Sequence, residues 1–200
     1  MSKKKNIIIL VLMFILLIGG ASVLYTQFSK DDTPDRLLIQ GEQNKNDNES
    51  QNDSSGTVDT ERRLTKAPDF AVYDGSGNKV NLSDYVGKPI VLNFWASWCG
   101  PCQSEMPDFH EKYLELGDEI HFLMVNMTGG RETPSSAKAF VSEKGYTFPV
   151  FFDTDSNAAM TYSVYSLPTT YFIDAEGYVI AQATGAIDAD TLQRGINMIK

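Results

Sequence analysis

The 200-residue chain has only two cysteines, and they are separated by two residues in Trp95-Ala96-Ser97-Trp98-Cys99-Gly100-Pro101-Cys102, directly behind an apolar run that reads as a buried strand. Pro101 suits the first turn of a helix, so the pair sits at the lip of a strand-to-helix turn. A thiol reacts as its thiolate, and the unpaired N–H groups that open a helix supply the partial positive charge that stabilises one. Position therefore makes Cys99 a reagent rather than a staple. A bridge between residues this close would close a very short loop and constrain the unfolded chain little. A structural zinc site needs four ligands, and His110 and His121 lie at no finger-like spacing from the cysteines, so no metal is expected and both histidines read as structural or solvated.

The first residues bear on the compartment. Lys3, Lys4 and Lys5 precede an apolar stretch from Ile7 to Tyr25. As a helix it would be roughly 28 Å long, against a bilayer core of about 30 Å. Residues 1–25 are expected to form a transmembrane anchor, with the basic residues in the cytoplasm and everything after the span on the far side. The competing reading is a cleaved signal peptide, for which Gly19-Gly20-Ala21 offers small residues but a poor cleavage pattern. Either way the cysteine pair ends up outside the cytoplasm. Residues 26–62 turn to Asn, Asp, Gln, Ser and Glu, with one apolar island at Leu37-Leu38-Ile39. Such a segment buries too little apolar surface to offset its ordering entropy and reads as a disordered polar linker. Residues 63–200 have the size of one domain. The formal charge of -9 argues against nucleic-acid binding, which needs a basic face to release counterions from phosphates.

Within that head, strands and helices alternate. Phe70 to Tyr73 and Lys79 to Leu82 bracket Asp74-Gly75-Ser76-Gly77-Asn78 as a hairpin, and Pro89 to Trp95 suits a central strand buried on both faces. Cys102, Met106, Phe109, Tyr113 and Leu116 recur at helical spacing up to Gly117, with Pro107 inside predicting a kink. Ile120 to Met127 reads as a strand. A helix follows from Pro134 to Lys144, burying Ala137, Phe140 and Val141. Phe148 to Phe152 is a short strand and Ser156 to Tyr162 a short helix, while Thr169 to Ile173 and Tyr178 to Ala183 form a second hairpin. Asp188 is placed to cap a last helix carrying Leu192, Ile196 and Ile199. The pattern predicts an α/β head with a mixed central sheet, helices on both faces and a hairpin at one edge.

Trp98-Cys99-Gly100-Pro101-Cys102 behind Val91-Leu92-Asn93-Phe94-Trp95-Ala96, the in-helix Pro107, and Leu167-Pro168-Thr169-Thr170 before the penultimate strand together resemble the thioredoxin family. Ala67-Pro68-Asp69-Phe70, Leu82-Ser83-Asp84-Tyr85, Gly87-Lys88, Glu105-Met106-Pro107 and the extra helix and strand between Pro134 and Phe152 narrow the resemblance. They are similar to the TlpA/ResA-like branch, the membrane-anchored extracytoplasmic thioredoxins. The likeness runs from about Ala67 to Lys200.

The resemblance implies a thioredoxin-like fold with an N-terminal β-hairpin and an inserted helix and strand, preceded by one transmembrane helix. It casts Cys99 as the exposed nucleophile and Cys102, on the buried stripe, as the resolving thiol. Thioredoxins commonly place a buried Asp beneath the cysteines; here the matching position is Asn93, which takes up or gives no proton near neutrality. Glu105 lies three residues after Cys102, about 60° round the helix, and the resemblance implies that it accepts the proton of the buried cysteine. The alternative is a solvated acid near the positive end of a helix. Pro168 is implied to be a cis-proline facing the disulfide, the alternative being a trans-proline opening an ordinary strand, and the backbone of Leu167 is implied to pair with an extended substrate. Trp98, Gly100 and Pro101 complete the candidate contact residues, with Trp98 either a contact surface or a shield for Cys99. Trp95 reads as core.

The activity implied is that of an extracytoplasmic thiol-disulfide oxidoreductase needing no cofactor beyond its own redox-active disulfide. The Gly-Pro between the cysteines resembles reducing thioredoxins, so reduction of protein disulfides is the first reading and disulfide formation the alternative. A reductase in oxidising surroundings requires a membrane thiol electron donor. The family's candidate substrates are haem-attachment cysteines of apocytochromes c, disulfides of envelope or spore-coat assembly proteins, or a methionine sulfoxide reductase. Two other classes fit poorly. A peroxiredoxin needs Pro seven and Thr three residues before its reactive cysteine, where this chain has Leu92 and Ala96, and an SCO-like copper chaperone needs wider cysteine spacing and a histidine ligand.

Overall fold

In a computed structural model, residues 37–39 and 64–200 are described. Ile90–Trp95 is inaccessible along its whole length, as its unbroken apolar composition demands of a strand covered on both faces. Successive side chains of a strand point to opposite faces. Val91 and Trp95 accordingly enter one core layer, while Ile90, Leu92 and Phe94 enter the other.

In chain order the strands are β1 (Leu37–Ile39), β2 (Thr65–Lys66), β3 (Ala71–Tyr73), β4 (Lys79–Asn81), β5 (Ile90–Trp95), β6 (His121–Asn126), β7 (Val150–Phe152), β8 (Thr169–Ile173) and β9 (Tyr178–Thr184). The helices are α1 (Gly100–Leu116), α2 (Pro134–Lys144), α3 (Asn157–Thr161) and α4 (Ala189–Ile199). Among the described residues the strands form one mixed sheet in the order β1-β9-β8-β5-β6-β7-β3-β4, with β2 also on β9. β5 runs parallel to β6 and antiparallel to β8. The β3-β4 hairpin forms one edge.

One face carries α1, α4 and Ala137 of α2 over Trp95, Phe122 and Phe172. The other is covered by Phe70 just before β3, the 3-10 turn Leu82–Tyr85 and α3, and is rich in aromatic pairs such as Tyr162 against Tyr171. The predicted α/β architecture is thus present, with small shifts. Leu82 leaves the strand to open the 3-10 turn, α1 passes through Pro107 without ending, and Phe140 and Val141 of α2 are only half-buried. Asp188 does cap α4, its carboxylate accepting from the Thr191 N–H at 2.8 Å. Gly195 on α4 faces the Phe172 ring so closely that a Cβ would run into it, which lets the helix lie tight on β8.

Leu37–Ile39, inside the segment expected to be an unstructured linker, is a strand. It pairs with Ala181–Ala183 of β9, and Leu37 is buried while Leu38 is exposed. The reason lies in the partner: β9 is seven residues long and offers an open edge, and three apolar residues paired along it satisfy that edge while burying Leu37. Among the described residues no helix is long and apolar enough to cross a membrane. The expected anchor, residues 1–25, and the remainder of the linker before residue 64 lie outside the described residues.

Candidate active site

Cys99 is the N-cap of α1 and Cys102 lies in its first turn. They are joined as a disulfide with Cα atoms 5.3 Å apart. The Cys102 N–H donates to Cys99 Sγ at 3.2 Å, so a helix-opening donor points at this sulfur, as the sequence position requires. Cys99 is less open than expected of an exposed nucleophile, at 5% exposure, because the neighbouring walls rise around it; Cys102 is fully buried. The asymmetry survives: Cys99 lines a groove of about 750 Å³ and Cys102 does not.

That groove is walled by Trp98, Gly100, Pro101, Arg131, Tyr165 and Leu167. Trp98 and Tyr165 stand open to solvent. The Leu167–Pro168 peptide is cis, and Pro168 is buried with its carbonyl accepting from the Gly185 N–H at 2.8 Å. Leu167 borders the groove, and its backbone makes no hydrogen bond among the described residues. Trp98, Gly100, Pro101 and Leu167 are therefore gathered at one opening, with Pro168 directly behind.

Glu105 is not a solvated acid. It is 2% exposed, deeper than the stripe-edge position suggested, because the segment leading into α4 folds over it. Its Oε1 accepts from Asn93 Nδ2 at 2.9 Å and its Oε2 from the Ile187 N–H at 3.0 Å. Burial pushes its carboxyl up to about 7, the two hydrogen bonds pull it down, and the charge of Asp108 one turn on adds to the rise. Standing one turn after Cys102 on the same side of α1, it is a carboxyl poised to exchange a proton near neutral pH.

Two residues that the sequence reading passed over complete the site. Glu132 is 2% exposed and accepts from the Ser97 N–H at 3.2 Å, Ser97 Oγ at 2.8 Å and Asn126 Nδ2 at 2.9 Å. It thereby ties the loop after β6 to the turn that carries Cys99. Beside it, the Arg131 guanidinium lies 4.1 Å from the centre of the Trp98 ring. A signal for both was present: β5 and β6 are parallel neighbours, so the Gly-Gly-Arg-Glu loop after β6 opens at the same sheet end as the cysteines. The histidines are elsewhere. His110 meets Thr147 Oγ1 at 3.2 Å, and His121 packs on Tyr85, where burial lowers its pKa. Among the described residues no group of three or more His, Cys, Asp and Glu is arranged to hold a metal ion.

The sequence profile of the AhpC/TSA family matches residues 64–182. The thiol-disulfide oxidoreductase ResA of Bacillus thuringiensis (strain Al Hakam) is 40% identical over 131 residues, covering 64% of this chain and 73% of that protein. The ResA of Bacillus subtilis (strain 168) is 35% identical over 135 residues, covering 67% and 74%. Among solved structures, the exposed lipoprotein thioredoxin of Streptococcus pneumoniae strain TIGR4 matches with a TM-score of 0.55 at 35% identity, over 65% of this chain and 98% of the other. With its thioredoxin-like sheet and its cysteine pair at the mouth of α1, the chain belongs to the AhpC/TSA family and, within it, to the ResA-like thiol-disulfide oxidoreductases.

Proposed function

We propose that this thiol-disulfide oxidoreductase works outside the cytoplasm as a reductant of protein disulfides, held at the membrane by residues 1–25. The observation that carries the reading is the asymmetry of the pair. Cys99 opens on a groove, whereas Cys102 is sealed from solvent one turn from a buried carboxyl with a pKa of about 7.

In the reduced protein the Cys99 thiolate attacks one sulfur of a partner disulfide. That S–S bond breaks, Cys99 enters a mixed disulfide, and the partner's other sulfur leaves as a thiolate that takes a proton from water. Cys102 then gives its thiol proton to Glu105 and attacks Cys99 Sγ. The Cys99–Cys102 bond forms and the second partner sulfur leaves as a thiolate to be protonated in turn. Two electrons pass from the pair to the partner, whose two sulfurs take their protons from water, while the Cys102 proton rests on Glu105 until it returns to solvent; no cofactor takes part. Trp98, Gly100, Pro101, Leu167 and Pro168 contact the partner, whose extended backbone pairs with that of Leu167.

The reducing direction is supported by the Gly-Pro between the cysteines, and it calls for a membrane thiol donor to recharge the pair. Suitable partners are the haem-attachment cysteines of apocytochromes c, disulfides of envelope or spore-coat assembly proteins, or a methionine sulfoxide reductase.

Changing Cys102 to Ser in the full chain tests the reading. Partners are expected to accumulate as mixed disulfides on Cys99, and mass spectrometry then names substrate and donor. A midpoint potential near the roughly -270 mV of thioredoxin supports reduction, whereas one near about -120 mV makes the pair an oxidant instead.

A further inference from the structure

Asn93 is fully buried on β5, below the disulfide-bearing turn. Its Nδ2 donates both to Glu105 Oε1 at 2.9 Å and to Thr170 Oγ1 at 3.0 Å, while its Oδ1 meets no donor. A buried polar atom without a partner calls for a reason. A carboxylate has only lone pairs to offer, so an ionised Glu105 dictates which end of the amide faces it. The other carboxyl oxygen is held by the Ile187 N–H, a backbone donor that cannot turn round. A proton shared with Asn93 must therefore sit on Oε1, where it would meet the Asn93 N–H, donor against donor. Turning the amide end for end relieves the conflict. Oδ1 then accepts from Oε1–H, and the Thr170 hydroxyl, able to act either way, changes from acceptor to donor.

We propose that Asn93 is a positioning residue for the proton on Glu105, its amide nitrogen holding the carboxylate and its now unpartnered oxygen holding the acid. The two arrangements are unequal. Facing the carboxylate, both amide N–H groups are used and one oxygen is idle; facing the acid, the whole NH2 group is stranded in the core. Asn93 thus favours the ionised form and offsets part of the effect of burial, in the same direction as the hydrogen bond acts on the Glu105 pKa. The surrounding groups leave this role to it. On α1, Cys102 and Asp108 flank Glu105, and Asp108 raises its pKa. β5 and β8 present only the neutral Asn93 and Thr170. The segment before α4 presents the Ile187 backbone, with the charge of Asp188 acting on Asp108.

The inference rests on Glu105 being the proton site of the proposed reaction, and the test separates the two. It uses the disulfide form, in which neither cysteine titrates. The Glu105 carboxyl carbon and the Asn93 side-chain amide are followed by NMR across the acid and neutral range. The Asn93 amide signals are expected to move with the Glu105 midpoint. Asn93→Ala is expected to raise that midpoint by about one pH unit or more, a loss of about tenfold in the ionised fraction on the acid side of the midpoint. Amide signals that stay flat through the Glu105 titration would overturn the proposal, as would an unmoved midpoint in a folded Asn93→Ala variant. Should that variant not fold, the wild-type amide titration decides alone. If both results are as expected and Glu105→Gln leaves the resolution step of the reduced protein untouched, the role of Asn93 stands and the proton-acceptor role of Glu105 falls.

Discussion

Two acids flank the disulfide, Glu105 behind it and Glu132 beside it, and each is 2% exposed. Their surroundings set them to different work. Glu132 accepts three hydrogen bonds, two of them from Ser97 and one from Asn126, so its carboxylate is a staple between two loops. Glu105 accepts two, from Asn93 and the Ile187 backbone, too few to cancel burial, and its pKa rises to about 7. At equal depth the two acids differ in the number and kind of their donors, and on the proposed reading it is Glu105 that exchanges a proton with the cysteine pair.

The largest effect that sharpens this contrast is expected from Glu132→Ala. Removing the acceptor strands the buried Asn126 amide and leaves the part-buried Ser97 N–H and hydroxyl without their partner, at about 3 kcal/mol, read as a lower denaturant midpoint. The pH dependence of the resolution step should keep its shape. A changed pH profile with unchanged stability would invert the roles given to the two acids.

Glu105→Gln should do the reverse. The folded-state pKa of Glu105 lies above its ordinary value of 4.5, so the folded protein binds a proton that the unfolded chain has released. The stabilising contribution is complete below about pH 4.5 and is lost as pH rises through about 7. In the disulfide form, Gln at this position is expected to flatten the decline over that window and to be more stable than wild type above it, by about 2 to 3 kcal/mol. In the reduced form the same substitution should slow resolution of the mixed disulfide by about 10²-fold or more near neutrality and remove its pH dependence through Glu105, as stopped-flow thiol exchange would record. A wild-type slope in the disulfide form would mean that Glu105 ionises as easily folded as unfolded.

The two acids also differ in how far the sequence revealed them. The spacing of Cys102, Glu105, Met106 and Phe109 put Glu105 next to a buried stripe, because helical period is a local property that a single segment carries. Its full burial was not legible, since the cover comes from Ile187, which lies 82 residues away along the chain. Glu132 sits in a glycine-flanked loop with no periodicity, and its partner Ser97 is 35 residues away; only the parallel pairing of β5 with β6 brings them together. Apart from the two-residue strand β2, which the sequence reading did not include, the strands and helices of residues 64–200 were readable to within a few residues for the same reason that Glu105 was, as period 2 and period 3.6 patterns bounded by turn residues. Leu37–Ile39 was misread as linker because a three-residue strand has no pattern of its own and becomes a strand only against the open edge of β9.

The smallest expected effect falls on the neighbour of Glu132. Arg131 reaches back over the ring of Trp98, which is 46% exposed beside Cys99, with the guanidinium 4.1 Å from the ring centre. A cation over an exposed aromatic face contributes about 0.5 to 1 kcal/mol, and salt weakens it little because the attraction acts at contact. Arg131→Ala should therefore lower stability by no more than about 1 kcal/mol while freeing the Trp98 ring to leave the groove wall. Trp95 is fully buried, so fluorescence quenching by a soluble collider reports Trp98 almost alone. Quenching should rise in Arg131→Ala, and alkylation of Cys99 in the reduced protein should quicken by about two- to fivefold, the factor corresponding to the lost cation-aromatic contact. If Arg131→Ala instead costs as much stability as Glu132→Ala, the loop after β6 is held by the arginine as firmly as by the buried acid, and the division between a buried staple and a loose outer latch on this side of the disulfide is wrong.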